Sequence, residues 1–343
     1  MTSIPVNFQR GYIVGPRSDL CWFLFLPFVA VAAALLAQQH LPVLGLVLVI
    51  FAVTVPHHGV TWLRVYGSPA EFGRWRGRLI AGPLLFIPAA FLLLKFAPIS
   101  LILLVALWDH QHSIMQQYGF GRIYDFKAAT GSPATRRFDL YLHWTLFVNL
   151  LLVSPVFTIY WVRMLHMWHL PVSSGAIETV HLVSWSVTGL YGLVYLGHLL
   201  WCVRRGTALN PSKYLFLVAS YFLWYFTAFA TTSLLVWSIA HRIMHGGQYL
   251  VMVFCYNRNN VARSGGDSAL LRYLGALGPL HVAAFLLFGV GYALVFWQLS
   301  SVRSLSADFD LLSASLISSF ALLHYYFDSF IWKVRTPRLQ RNL

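Results

Sequence analysis

Charge is scarce in this chain: only 10% of its 343 residues are Asp, Glu, Lys or Arg, against about 25% in an ordinary soluble domain. A water-exposed surface for a protein of this length is therefore excluded over much of the chain. Cysteine is equally sparse. Cys21, Cys202 and Cys255 form no CxxC pair and no disulfide pattern, so neither a thiolate metal site nor a disulfide framework is indicated. Between Met1 and Leu20 there is no apolar h-region and no small-residue cleavage site, so no signal peptide is read and the first span is expected to serve as the insertion signal. Internal repeats, low-complexity tracts and a polar stretch long enough for a separate soluble domain are also missing.

Apolar residues fill the space. The chain is 58% hydrophobic and 16% aromatic, with 13 tryptophans and a mean hydropathy of +0.67. That composition makes lipid the solvent for much of the surface, with aromatic rings suited to the membrane interfaces. Ten apolar stretches read as transmembrane helices, at roughly 18–37, 42–65, 77–95, 98–120, 138–160, 177–203, 212–229, 232–256, 270–298 and 308–333. The expected fold is an all-α polytopic bundle, one integral membrane domain over residues 1–343. The piece at 161–176, with Trp161, Met164, Leu165, Met167 and Trp168, is expected to lie in the outer interface.

The net charge of +14 suggests nucleic acid only until the basic residues are placed. With the N-terminus in the cytoplasm, 20 of the 24 Lys and Arg fall in inside segments. They cluster around Arg10 and Arg17, at 64–78, 122–137, 204–213 and 258–272, and at 333–341. Lys95, Arg163 and Arg303 fall outside, and Arg242 falls within a span. This is the positive-inside pattern. It supports ten spans with both termini cytoplasmic, in a bacterial inner membrane, with lipids rather than nucleic acid as surroundings.

Fourteen histidines are many for so apolar a chain, and ionisable groups inside spans are costly and usually functional. Depth sorts them. The second span carries Pro56-His57-His58-Gly59 and the fourth carries Asp109-His110-Gln111-His112. The eighth carries His241 and His245, and the tenth His324 and Asp328. All four runs fall at one level in the cytoplasmic half, whereas histidines that merely hydrogen-bond between helices would scatter in depth. His241 and His245 share a helix face, as do His324 and Asp328. His110 and His112 are about 200° apart on an ideal helix, so both cannot face one centre unless that helix bends.

His57, His58, His110, His112, His241, His245 and His324 are therefore the candidate metal ligands. Asp109 and Asp328 join them as carboxylate ligands or as groups that orient the imidazoles. Imidazole with carboxylate suits iron best, and seven histidines with two aspartates exceed the needs of one ion. Glu178-x-x-His181 has the spacing of a di-iron helix motif but sits at the outer end of its span. His143, His198 and His281, each alone on a span, are expected to be structural or to orient a ligand rather than to bind metal themselves.

The Pro56-His57-His58-Gly59 element resembles the Pro-His-Gly element of the Brp/Blh family, bacterial membrane enzymes that cleave β-carotene with non-haem iron. His324-Tyr325-Tyr326-x-Asp328-x-x-Ile331-Trp332-Lys333 and Gln116-Gln117-Tyr118-Gly119-Phe120 resemble patterns in histidine-rich bacterial membrane proteins. The likeness implies an iron enzyme acting with O2 on a lipophilic molecule: a fatty acyl or aldehyde chain, or an isoprenoid. Val60-Thr61-Trp62 replaces the Asp-bearing stretch that follows the glycine in that family, and the histidines outnumber a four-His site, so a sister family with a larger iron site is the expectation. His241-x-x-x-His245 also matches one box of the membrane desaturases, but their HxxHH boxes are missing. Two other readings stand beside the iron oxygenase or oxidase. One is a cytochrome b-type haem protein with His57 and His110 as axial ligands. The other is a proton-coupled transporter with a histidine relay.

Overall fold

The computed structural model describes residues 7–231, 233–301 and 307–343, and it is all-helical apart from one isolated bridge between Phe8 and Leu209. The helices are α1 (Pro16–His40), α2 (Val43–Tyr66), α3 (Pro69–Phe96), α4 (Pro98–Lys127), α5 (Pro133–Val153), α6 (Pro155–Met167) and α7 (Ser174–Arg204). They continue with α8 (Pro211–Ala230), α9 (Leu234–Ser264), α10 (Ala269–Leu274), α11 (Pro279–Ser301), α12 (Ala307–Ile331) and α13 (Pro337–Asn342). Arg303 and residues 1–6 lie outside the described residues.

Short polar motifs set the boundaries. Ser68, Ser132, Ser154, Ser173, Asn210 and Ser268 each accept a hydrogen bond from a backbone N–H in the first turn that follows. Proline occupies the first position of α3, α5, α6 and α8. Proline supplies the helical φ there, and the cap satisfies a donor the helix cannot.

The ten apolar stretches fall largely in helices among the described residues; two of them are interrupted, and several of the helices run beyond the expected bounds. Six helices among the described residues are long and apolar enough to cross a membrane, or seven if the bent pair of α5 and α6 is one span. That pair bends by 68° after Ser154, so the span expected at 138–160 is broken. Trp161, Met164, Leu165 and Met167, expected in an interfacial segment, lie on α6. The stretch 270–298 is interrupted by a turn between Leu274 and Pro279.

The helices form two compact units. One comprises the described residues up to Leu46 together with Ser113–Met244. There Phe23, Phe120 and Phe216 meet edge to face at 5.1–6.2 Å. Tyr191 and Tyr195 of α7 donate to Phe138 O and Asp139 Oδ1 of α5, both at 2.8 Å. Lys213 is clamped between Asp125 and Asp139.

The other unit comprises Val47–His112 and His245–Leu343. There α3 lies along α12 through Leu79, Leu323, Phe327 and Phe330. Val60 and Leu63 of α2 pack with Tyr249 and Val253 of α9, and with Leu271, Leu274 and Phe285. Outside the spans, Arg338 of α13 is bound by Glu71 and Asp267. Burial lowers the Arg338 pKa, but Tyr256, Asp267 and Glu71 outweigh it and hold that pKa above its ordinary value.

Candidate metal centre

Glycines let α9 and α11 approach α2 closely. A Cβ on Gly246 of α9 would lie 2.9 Å from Val53 O and 3.3 Å from His57 Nδ1 on α2. One on Gly289 of α11 would lie 3.1 Å from Pro56 O. A side chain at either glycine would push its helix away from α2, so the glycines permit the close approach.

Within this unit the imidazoles pack directly on one another. His57 lies 4.9 Å, ring centre to ring centre, from both His245 and His324. His58 lies 4.5 Å from His57 and stacks on His324 at 4.4 Å. His112 lies 5.1 Å from His245 and 5.0 Å from His324. Two groups of three have ligand atoms within 4.8 Å of one another: His57 with His245 and His324, and His112 with His324 and Asp328. His57, His245 and His324 are fully buried, where a polar group is costly unless it is bonded or coordinated.

The second group includes a carboxylate. Asp328 Oδ2 lies 3.7 Å from His112 Nε2 and 3.8 Å from His324 Nε2. With bonds of about 2.1 Å, adjacent donors on an octahedral ion stand roughly 3.0 Å apart. A closure of under about 1 Å would bring Asp328 Oδ2 to that spacing from either imidazole nitrogen.

Hydrogen bonds brace the group. Tyr249 donates to Asp328 Oδ1 at 2.8 Å and receives the Trp332 indole N–H at 3.2 Å. Thr61 Oγ1 lies 2.7 Å from the Tyr249 hydroxyl and 2.9 Å from His324 Nδ1. Beyond Trp332, the Arg64 guanidinium sits 3.5 Å over the indole and 4.1 Å over Tyr256, and donates to Ile331 O at 2.9 Å.

The other candidate residues are placed as follows. His110 is buried but falls in neither group, while its neighbour His112 falls in one. Asp109 accepts from the Tyr325 hydroxyl at 3.0 Å. His241 belongs to the first unit, where its ring packs tilted against Trp224 at 4.2 Å and Trp237 at 5.1 Å. Also there, Glu178 is exposed and His181 bonds Thr158 at 3.1 Å. His143 donates to Asp139 O at 2.7 Å, and His198 bonds Thr135 at 3.1 Å. His281, in the second unit, packs on Tyr273 at 4.7 Å.

Comparison with protein families, curated proteins and solved structures finds no match. The chemistry must then be argued from the residues themselves.

Sequence reasoning passed over Thr61 and Tyr249. Both were within reach of the spacing argument. Thr61 stands four residues after His57, and Tyr249 four after His245, so each shares a helix face with a candidate ligand.

Proposed function

We propose that this chain is an integral membrane non-haem iron enzyme, an oxidase or oxygenase that acts with dioxygen on a lipophilic substrate. The observation that carries the reading is the set formed by buried His112 and His324 with Asp328, whose side chain is only 5% exposed. Two imidazoles and one carboxylate are the donor set of non-haem ferrous oxygenases. His57 and His245, with His58 beside them, supply donors for a second ion. When bound, iron would supply dioxygen activation. The protein's own part is to hold the donor atoms, keep water out and orient the carboxylate.

The surroundings fit a lipophilic substrate, a fatty acyl or aldehyde chain or an isoprenoid. Leu322, Leu323, Tyr325 and Phe327, which flank His324 along α12, are buried, and Trp108 packs on Tyr325 at 6.0 Å. Such a molecule would reach the site from the bilayer. Ten spans with both termini in the cytoplasm, in a bacterial inner membrane, remain the topology that the basic residues favour. Rings packed 4.4–5.1 Å apart favour small ions over a flat porphyrin between them.

The test is the metal content of anaerobically purified and iron-reconstituted protein. The expectation is at least about one iron per chain in the wild type and less than roughly a tenth of that in His324→Ala, because deprotonated ligands create the site. His281→Ala should keep its iron. Wild-type protein with well under one iron per chain would overturn the proposal. A Soret band would select the haem reading, and substrate flux in metal-free proteoliposomes the transporter.

A further inference from the structure

His324 is the residue common to both groups of potential ligands. A neutral imidazole has one lone pair, so the nitrogen that carries it decides which ion His324 serves. The hydrogen bonds around it settle that choice. An ionised carboxylate only accepts, and the Trp332 indole N–H only donates. The 2.8 Å contact to Asp328 Oδ1 therefore takes the single proton of Tyr249. The Tyr249 oxygen is left to accept from Trp332 and from Thr61. Thr61 has one proton and three possible acceptors, the Tyr249 hydroxyl at 2.7 Å, His324 Nδ1 at 2.9 Å and His57 O at 3.4 Å. Because the Tyr249 proton lies in the Asp328 contact, only Thr61 can supply the hydrogen of the 2.7 Å contact. Thr61 Oγ1 then accepts from His324 at 2.9 Å, which places the imidazole proton on Nδ1. The lone pair is on Nε2, which makes no hydrogen bond among the described residues and faces Asp328 Oδ2 at 3.8 Å.

We propose that Thr61 and Tyr249 are positioning residues that hold His324 as an Nε2 ligand of a single ion, on one face with His112 and Asp328 Oδ2. The inference rests on the metal reading above and sharpens it. With Nδ1 committed to Thr61, His324 cannot bridge two ions. The remaining members of the other group, His57 and His245, must hold any second ion without it. The same chain of bonds commits Asp328 Oδ1 to Tyr249 and leaves Oδ2 for the metal. One threonine hydroxyl thus sets the proton position of an imidazole, and through Tyr249 the free oxygen of a carboxylate.

The experiment is Co(II) titration of the purified full-length chain in detergent, followed by visible absorption. Thr61→Val keeps the side-chain shape and removes the hydroxyl. Its Co(II) affinity should fall by about 10–100-fold, the usual effect of losing a hydrogen-bond partner behind a ligating histidine. Its absorption band should change shape, because the ligand set itself alters. Thr61→Ser should restore both affinity and spectrum. Tyr249→Phe, which keeps the ring, should weaken binding and serves if Thr61→Val is not recovered folded. Variants that bind Co(II) within about threefold of wild type, with an unchanged spectrum, would overturn the inference and leave the metal reading standing. Wild-type protein that binds no Co(II) would overturn both.

Discussion

Replacing Lys213 by methionine should destabilise the first unit more than any surface change. Its ammonium is buried at 1% exposure, 2.9 Å from Asp125 Oδ2 and 2.5 Å from Asp139 Oδ2. Arg122 is the second cation, 2.7 Å from Asp125 and 3.8 Å from Asp139. At an effective dielectric constant of about 20, each Lys213 contact is worth roughly 6 kcal/mol before desolvation. Desolvation cancels much of that gain, so the intact clamp contributes little net stability. Deleting the lysine is different. Two buried carboxylates then share one arginine, and breaking such a pair typically costs about 3–5 kcal/mol.

At roughly 2 °C per kcal/mol for a large domain, Tm should fall by about 6–10 °C. The assay is thermal unfolding in detergent at a fixed scan rate, because membrane proteins unfold irreversibly and only like conditions compare. The control is Lys213→Met combined with Asp139→Asn. That pair leaves Arg122 facing Asp125 alone and should recover at least half of the loss. A single variant within about 2 °C of wild type, or a double variant less stable than the single, would refute the charge argument.

Two further outcomes follow from the second unit. Asp328→Asn should lower iron occupancy more than about tenfold, whereas Asp109→Asn, which alters the partner of Tyr325, should change it by less than about threefold. Metal analysis of both variants, purified side by side, separates a ligand carboxylate from a bracing one, and equal losses would sink the distinction. Gly246→Leu should cost several kcal/mol by overpacking α9 against Val53 and His57, and should abolish metal binding. A stable Gly246→Leu protein with normal metal content would show that α2 and α9 need not approach this closely.

Much of the site was legible because helix geometry is simple. A residue four positions along shares a face, and this relation links His324 to Asp328. The 200° separation of His110 and His112 forecast that only one would join a common group, and His112 is the one. Which of the two it would be depends on how α4 is rotated in its unit, and no local pattern encodes that. His241 shows the limit from the other side. The HxxxH spacing is real, yet His241 packs on Trp224 and Trp237, while His245 meets His57. Spacing fixes a face, but not what is packed against it at each turn. Tyr249 and Thr61 escaped notice because neither residue type announces metal chemistry, and their roles exist only through partners 188 and 263 positions away from Thr61. The bend after Ser154 was signalled by Ser154-Pro155, a cap followed by proline.

The long helices too polar to count among the six apolar enough to cross a membrane are themselves informative. In the second unit α3 and α11 pass on apolarity, with only 17% and 22% of their apolar windows buried, so most of that surface is open to lipid. The helices α4, α9 and α12 have 30, 31 and 25 residues, enough for about 37–46 Å at 1.5 Å per residue, longer than a hydrocarbon core of about 30 Å. They fall short on composition, not length. Asp109, His110 and His112 interrupt α4, His245 and Gln248 interrupt α9, and His324 and Asp328 interrupt α12. A charged group at mid-membrane costs about 2.5–3.5 kcal/mol on insertion, so such helices need protein on their polar faces. Here α3 covers α12, and Gly82 lets Leu323 and Phe327 approach to 3.2–3.3 Å of where a Cβ would stand. On the ten-span metal reading proposed above, hydropathy alone undercounts these helices, because the proposed ligands are the groups that lower their apolarity.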